Sequence, residues 1–187
     1  MAVKTFTTGE VLTASDTNTY LANSGLVYVT STTFSGSSAV QINNCFSSTY
    51  DEYRIVMRLT SSVTTNGYLA MNFVDGTTPV TSSTYYNNQI YSAGATAPQA
   101  NYYGSVSVGY VGWVSDLSTT ITLDLVGPQL AQNKSWVGMC SSFATATAIN
   151  GSSYGFHYAA TQYEGVKFTP ASGTITGTIY VMGYRKA

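Results

Sequence analysis

From Leu26 onward the apolar residues recur at every second position, and this period constrains the fold more than any other feature of the chain. In residues 52–60, Tyr53, Ile55, Met57 and Leu59 alternate with Glu52, Arg54, Val56 and Arg58. Successive side chains of a strand point to opposite faces, so this pattern predicts a strand with one covered face. Residues 67–74 put Leu69, Met71 and Phe73 on one face, and residues 119–126 do the same with Ile121, Leu123 and Leu125. Residues 174–185 are apolar on both faces, with Ile175, Ile179 and Val181 opposed to Tyr180, Met182 and Tyr184, which predicts cover on both sides. Further strands are predicted over 26–30, 39–43, 85–91, 102–114, 135–140, 142–148 and 154–160. Turn dipeptides such as Asn66-Gly67, Asp75-Gly76, Gly127-Pro128 and Asn150-Gly151 separate them. Many short strands rich in Thr, Val, Ile and Tyr fold as an antiparallel sandwich. The expected fold class is therefore all-β: an antiparallel β-sandwich, jelly-roll-like, with a short N-terminal helical anchor segment.

That segment is where the period-two pattern is missing. Thr13-Ala14-Ser15-Asp16 fits a capping box, Leu12, Tyr20 and Leu21 form one apolar stripe, and Asn23-Ser24-Gly25 stops the helix. A helix of about two turns is marginal alone in water and must dock on something. Val11, Leu12, Tyr20 and Leu21 are the anchor residues on this reading. The chain divides into an anchor segment, 1–25, and a β-sandwich domain, 26–187. A chain of 187 residues can bury enough surface to fold without a disulfide or a metal. Cys45 and Cys140 belong to no CxxC pair and are read as free buried thiols.

Composition then excludes whole classes of function. Charged residues are 8%, against about 25% in an average soluble protein. The polarity comes instead from 51 Ser and Thr and from 16 Tyr. No run approaches the ~20 apolar residues of a spanning helix, so membrane insertion is not expected. The net charge is −1 and the Lys and Arg residues are scattered. Nucleic acid is not expected as a partner, because it calls for a basic patch. Residues 1–15 lack the basic start and apolar core of a signal peptide, so synthesis and retention in a cytoplasm are expected. So few charges leave sheet edges without their usual protection, which predicts cover by identical chains. A monomer kept soluble by its hydroxyls is the alternative. Arg54 and Arg58, facing away from the core, are the charged residues expected at subunit contacts.

Catalytic chemistry finds little support. The single histidine, His157, alternates with Phe156 and Tyr158 and reads as an ordinary strand residue, although Ser and Asp are present in number. One His and two distant Cys cannot form a zinc cluster. Asp51 and Glu52 face opposite ways, and Asp75 and Asp116 sit beside turns, where Asp bonds its own backbone. Asp124, between Leu123 and Leu125, points away from both and is expected in solvent. No GxxxxGK[ST] loop occurs. Asn133-Lys134-Ser135 and Asn150-Gly151-Ser152 match the glycosylation pattern, which means little without a secretory route. No catalytic residue, metal ligand or cofactor-binding residue is assigned, and no cofactor is expected. Aromatics remain: Tyr85, Tyr86, Tyr91, Tyr102, Tyr103, Tyr110 and Trp113 crowd the middle third. Exposed, they offer flat apolar faces with polar edges to sugar rings or to another subunit; buried, they fill the core.

Three segments carry a resemblance. Lys4-Thr5-Phe6-Thr7-Thr8-Gly9-Glu10-Val11-Leu12-Thr13-Ala14-Ser15-Asp16, with Asn18-Thr19-Tyr20-Leu21, resembles the start of many small virion proteins of tailed bacteriophages. Phe46-Ser47-Ser48-Thr49-Tyr50-Asp51-Glu52-Tyr53-Arg54-Ile55-Val56 is similar to a strand entry in the β-sandwich domains of phage tail-fibre-like and minor structural proteins. Gly177-Thr178-Ile179-Tyr180-Val181-Met182-Gly183-Tyr184-Arg185-Lys186-Ala187 resembles their last strand. The resemblance implies a non-enzymatic virion protein, commonly trimeric, anchored through its N-terminal part. It would be exposed on the particle as a small fibre or spike component or a head decoration, with capsid or tail proteins as neighbours. A carbohydrate-binding module acting on host cell-surface glycan is the alternative. The contrasting class is a polysaccharide depolymerase, which needs two carboxylates flanking a glycosidic bond, and nothing in the sequence pairs two.

Overall fold

In the computed structural model, residues 7–11, 13–16, 25–145 and 147–185 are described. Among them the chain runs through thirteen strands: β1 (Leu26–Ser37), β2 (Val40–Ile42), β3 (Glu52–Ser61), β4 (Gly67–Asp75), β5 (Thr78–Pro79), β6 (Tyr85–Ala93), β7 (Gln99–Val106), β8 (Gly109–Val114), β9 (Ser118–Val126), β10 (Lys134–Phe143), β11 (Ala148–His157), β12 (Gly165–Pro170) and β13 (Ile175–Tyr184). They form two sheets. The larger has eight strands in the order β1-β13-β3-β9-β10-β11-β6-β7. The smaller has the order β2-β12-β4-β5, with β8 also paired to β4. Every pairing is antiparallel.

The alternation in β3 and β9 is realised as read. Tyr53, Ile55 and Met57 are buried and oppose Leu125, Leu123 and Ile121 across the register. From the smaller sheet, Leu69, Met71, Phe73, Val166 and Phe168 close over them. Each fully buried side chain of this kind contributes about 1.5–3 kcal/mol. Aromatic contacts tie the layers: Phe73 stacks on Tyr85 at 6.2 Å, and Tyr91 meets Trp113 at 4.6 Å. The Cys140 thiol donates to the Trp113 carbonyl at 3.3 Å. Both cysteines are free and buried. The arrangement is consistent with a β-sandwich.

Four of the pairings nest: β1 with β13, β2 with β12, β3 with β9, and β4 with β8. The first strand thus pairs with the last and the second with the last but one, and further in β3 pairs with β9 and β4 with β8. β6 and β7 are inserted between the innermost two, and β10 with β11 extends the larger sheet from β9.

Several expectations need correction. No helical anchor is seen among the described residues. Ala14–Asp16 are helical, which is less than one turn, and Val11 is 79% exposed. Leu12, Tyr20 and Leu21 lie outside the described residues. What forms instead is a turn in which the Glu10 amide donates to the Thr7 carbonyl and the Thr7 amide donates to Glu10 Oε2. The single strand predicted over 102–114 is two, β7 and β8, in different sheets. The two predicted over 135–140 and 142–148 are largely one, β10, because no turn interrupts Cys140-Ser141-Ser142. β12 was absent from the expected strands: it is short, and Lys167 breaks its apolar run. β13 is covered on one face only, and Tyr180 on the other remains 38% exposed.

Candidate functional site

The outer face of the larger sheet is where this chain departs from an ordinary surface. Met139 is 70% exposed, Tyr102 67%, Val137 51% and Ile90 50%. All four sit on that face, as do Tyr154, Phe156 and Tyr180. Cross-strand register arranges them in rows. One row runs Tyr180, Val56, Thr122, Met139, Ser152, Ile90, Ala100. The next runs Met182, Arg54, Asp124, Val137, Tyr154, Asn88, Tyr102. The exposed apolar side chains of these rows are interspersed with Thr122, Ser152, Asn88 and the Arg54–Asp124 pair.

Charge is sparse on the face. Arg54 Nε donates to Asp124 Oδ1 at 2.8 Å and its Nη2 to Oδ2 at 2.7 Å, and the Tyr184 hydroxyl donates to Oδ1 at 2.8 Å. The guanidinium bonds, supported by Tyr184, hold the Asp124 carboxyl below the usual carboxylate range. Asp124 points outward, as the alternation predicts, but into an ion pair. Both partners are over a third exposed, so the pair contributes about 1 kcal/mol or less. Arg58, on the same face of β3, is exposed and forms no ion pair among the described residues.

The seven aromatics singled out by sequence separate into three groups. Tyr85 and Trp113 are core residues, at 0% and 3% exposure. The Tyr85 hydroxyl accepts from the Phe73 amide and donates to the Val80 carbonyl. Tyr91, Tyr103 and Tyr110 are half-buried with Tyr68 at one end of the space between the sheets. There the Tyr68 and Tyr103 hydroxyls lie 3.0 Å apart, and burial pushes Tyr68 up to about 12. Tyr86 and Tyr102 alone reach the outer face. Tyr86 stacks on Phe156 at 4.8 Å with 10° between planes. Sequence reasoning missed Val137, Met139, Tyr154 and Phe156. Their odd-even placement in β10 and β11 was the signal, since Trp136, Cys140, Ser153 and His157 occupy the inner positions.

Several depressions open on this face, and two of them adjoin. One, about 370 Å³, is lined by Asn88, Gln89, Ile90, Ala100, Asn101, Tyr102 and Tyr154. The other, about 750 Å³, is lined by Arg54, Ile90, Thr120, Thr122, Met139, Ser141, Asn150 and Ser152 among others. Ile90 belongs to both.

Between the sheets a further depression of about 470 Å³ opens beside Tyr68, Tyr91 and Trp113, and the rest of the inner face is packed core. His157 is fully buried, with Nε2 2.8 Å from the Tyr163 hydroxyl and Nδ1 3.1 Å from the Thr84 hydroxyl. Burial, with the nearby Lys134 cation, pushes its imidazole down to about 4. Lys134 is also buried, its ammonium donating to the carbonyls of Leu130, Gln132 and Ala159. Desolvation lowers its pKa. The letters GxSxG do occur, at Gly151-Ser152-Ser153-Tyr154-Gly155. They lie within β11, with Ser153 buried, not on the exposed strand-to-helix turn that a nucleophile elbow requires. Among the described residues no three His, Cys, Asp or Glu converge as metal ligands, and no helix is long and apolar enough to cross a membrane. No protein-family model matches the chain, and no curated protein matches it.

Proposed function

We propose that this chain is a non-enzymatic structural protein of a tailed-phage virion, folded as a jelly roll and displayed on the particle as a small fibre or spike component or a head decoration. The nested pairings support the jelly roll. A two-armed antiparallel ribbon wound on itself gives the strand orders β1-β13-β3-β9 and β2-β12-β4-β8, those of two Greek keys. The resemblance of the opening, the β3 entry and the last strand supports the virion. The observation that carries the reading is the broad, weakly charged outer face of the larger sheet, a surface suited to repeated contact with copies of itself. On this reading the protein is a homotrimer. Its subunits meet at the β1–β13–β3 end of that face, through Tyr28, Tyr180 and Arg58.

Light scattering of the full chain tests the assembly. The expected mass is about 60 kDa, three times the 19.9 kDa chain, and Tyr180→Glu with Arg58→Glu lowers it without unfolding the domain. A wild-type mass of one chain at micromolar concentration refutes the trimer. Absence of the protein from purified particles by mass spectrometry refutes the virion role.

A second reading is compatible with the first: carbohydrate binding for recognition of a host surface. The observation favouring it is the pair of exposed tyrosines, Tyr102 and Tyr154, at the opposite end of the same face. From β13 to β7 there are six strand spacings, roughly 29 Å, so the two contacts need not compete.

A further inference from the structure

We propose that the β11–β6–β7 end of the larger sheet binds a neutral oligosaccharide, one sugar ring resting on Tyr102 above Asn88 and beside Tyr154, with the chain continuing across the strands towards Thr122. The inference rests on the carbohydrate reading and gives it a place, an orientation and a ligand class.

Register brings the three residues side by side. Tyr154 on β11 opposes Asn88 on β6, and Asn88 opposes Tyr102 on β7. The tyrosines are thus two strand spacings apart, about 10 Å, with an amide between them. The Tyr102 ring does not stand away from the sheet. A Cβ placed on Gly104 would lie 2.7 Å from the Tyr102 hydroxyl and 3.1 Å from two ring carbons. The phenol therefore lies along the backbone at Gly104, where no side chain lifts it, and its other face is open. A pyranose has the matching form, a C–H face to lie on the ring and a rim of hydroxyls.

The rest of the lining supplies what such a rim needs. Asn88 and Asn150 have amides without hydrogen bonds to other described residues, and the same holds for the hydroxyls of Thr120, Thr122, Ser141 and Ser152. Inside the fold Asn72, Asn87, Ser115, Thr119 and Ser142 are engaged, while the Gln89 amide and the Ser153 hydroxyl are not. The uncommitted groups follow the two depressions that share Ile90. The sole charged residue lining them is Arg54, whose guanidinium is already spanned by the Asp124 carboxylate. A ligand there meets donors, acceptors and ring faces, but no net charge.

The test applies the full-length chain to an immobilised panel of neutral hexose and N-acetylhexosamine oligosaccharides, beside uronate- and sialate-bearing ones. Affinity for the best-retained neutral oligosaccharide is then measured by calorimetry. Retention is expected on neutral glycans and unchanged between low and high salt. Tyr102→Ala and Tyr154→Ala each weaken it about tenfold, the loss of one aromatic contact. Tyr102→Phe keeps the ring face and keeps the binding. Gly104→Ala, which leaves both tyrosines but lifts the Tyr102 ring, weakens it as well. No retention on any glycan overturns the site and the carbohydrate reading together. Retention indifferent to all these variants overturns the site and leaves the reading standing. Binding confined to acidic glycans and abolished by salt overturns the neutral class. A fall in oligomeric mass in Tyr102→Ala makes the surface a subunit contact and overturns the proposal.

Discussion

His157 is the single histidine of the chain, which makes the acid stability of this fold unusually easy to interpret. Its ring is enclosed by Tyr85 on the same sheet, Phe73 from the smaller sheet and Tyr163 beyond β11, at centroid distances of 4.3, 5.4 and 5.4 Å. The charged group facing it is Lys134, a cation, and no carboxylate bonds to it. The folded chain therefore holds the imidazole neutral, with its pKa at about 4 in place of 6.5. Above 6.5 both states are neutral and the full stability is present. As pH falls from 6.5 towards 4, the unfolded chain takes up a proton that the folded chain refuses, and stability falls; below about 4 both states are protonated and this loss stops. Over the whole window the loss is about 3 kcal/mol. Asp124 and Asp116 are both held below 3.8, so their contributions disappear only at lower pH. Urea unfolding at pH 7 and pH 4.5 is expected to show wild type losing about 2–3 kcal/mol. His157→Gln, less stable at pH 7 for want of a good partner to Tyr163, should lose much less on acidification. The imidazole resonances, free of overlap from any other histidine, should titrate near 4. Equal acid losses in the two proteins, or a titration near 6.5, would refute the buried neutral imidazole.

Two further outcomes follow from packing. Gly177 in β13 has φ +152° and would place a Cβ 2.0 Å from the Arg58 carbonyl oxygen; Gly177→Ala should cost more than about 3 kcal/mol in urea unfolding, and a loss below 1 kcal/mol would show that β13 and β3 can separate locally. Burial pushes the thiols of Cys45 and Cys140 up to about 12 and about 11, so neither should react with a thiol reagent at pH 8 in the native state and both should react in denaturant; fast native labelling would contradict their burial.

How far the sequence carried depends on the range of the interaction. Within a strand, parity is local, and the inner residues of β3 and β9 were legible from alternation alone. Which parity faces inward is not local. Tyr85 and Tyr86 are adjacent, yet one is core and the other surface, and only the packing of the whole sheet decides between them. Val137 and Met139 could be placed on one face from Trp136 and Cys140, but an apolar residue in alternation is ordinarily taken for core. Asp124 was legible as outward. Its partner was not, because Arg54 lies 70 residues away and meets it only through the β3–β9 register. The division of 102–114 into β7 and β8 had no strong signal either, since Ser107 and Val108 carry no turn chemistry. Nothing in the sequence set Lys134 apart as buried. Its burial depends on three carbonyls, two from the preceding turn and one from Ala159, that the sequence could not bring together.

The scarcity of charge can now be related to the sheet edges. The edge strands of the larger sheet are β1 and β7, and β2 and β8 bound much of the smaller one; none of the four contains a charged residue. An uncharged edge invites pairing with another chain unless its geometry prevents it. Here the geometry is irregular. β1 shifts register against β13 between Tyr28 and Thr30 and again between Phe34 and Ser37, β7 shifts against β6, and β8 against β4. A bulge twists a strand and spoils the even spacing that an incoming strand would need. β1, β7 and β8 are thus protected by bulges in place of charges, and β2 by its length of only three residues, which would favour contact through the faces over edge-to-edge continuation of a sheet. Of the faces, the outer one of the larger sheet carries the exposed Tyr28 and Tyr180 at its β1–β13–β3 end, and copies that met there would cover those two rings and set Arg58 against the neighbour, leaving Tyr102 and Tyr154 open at the other end.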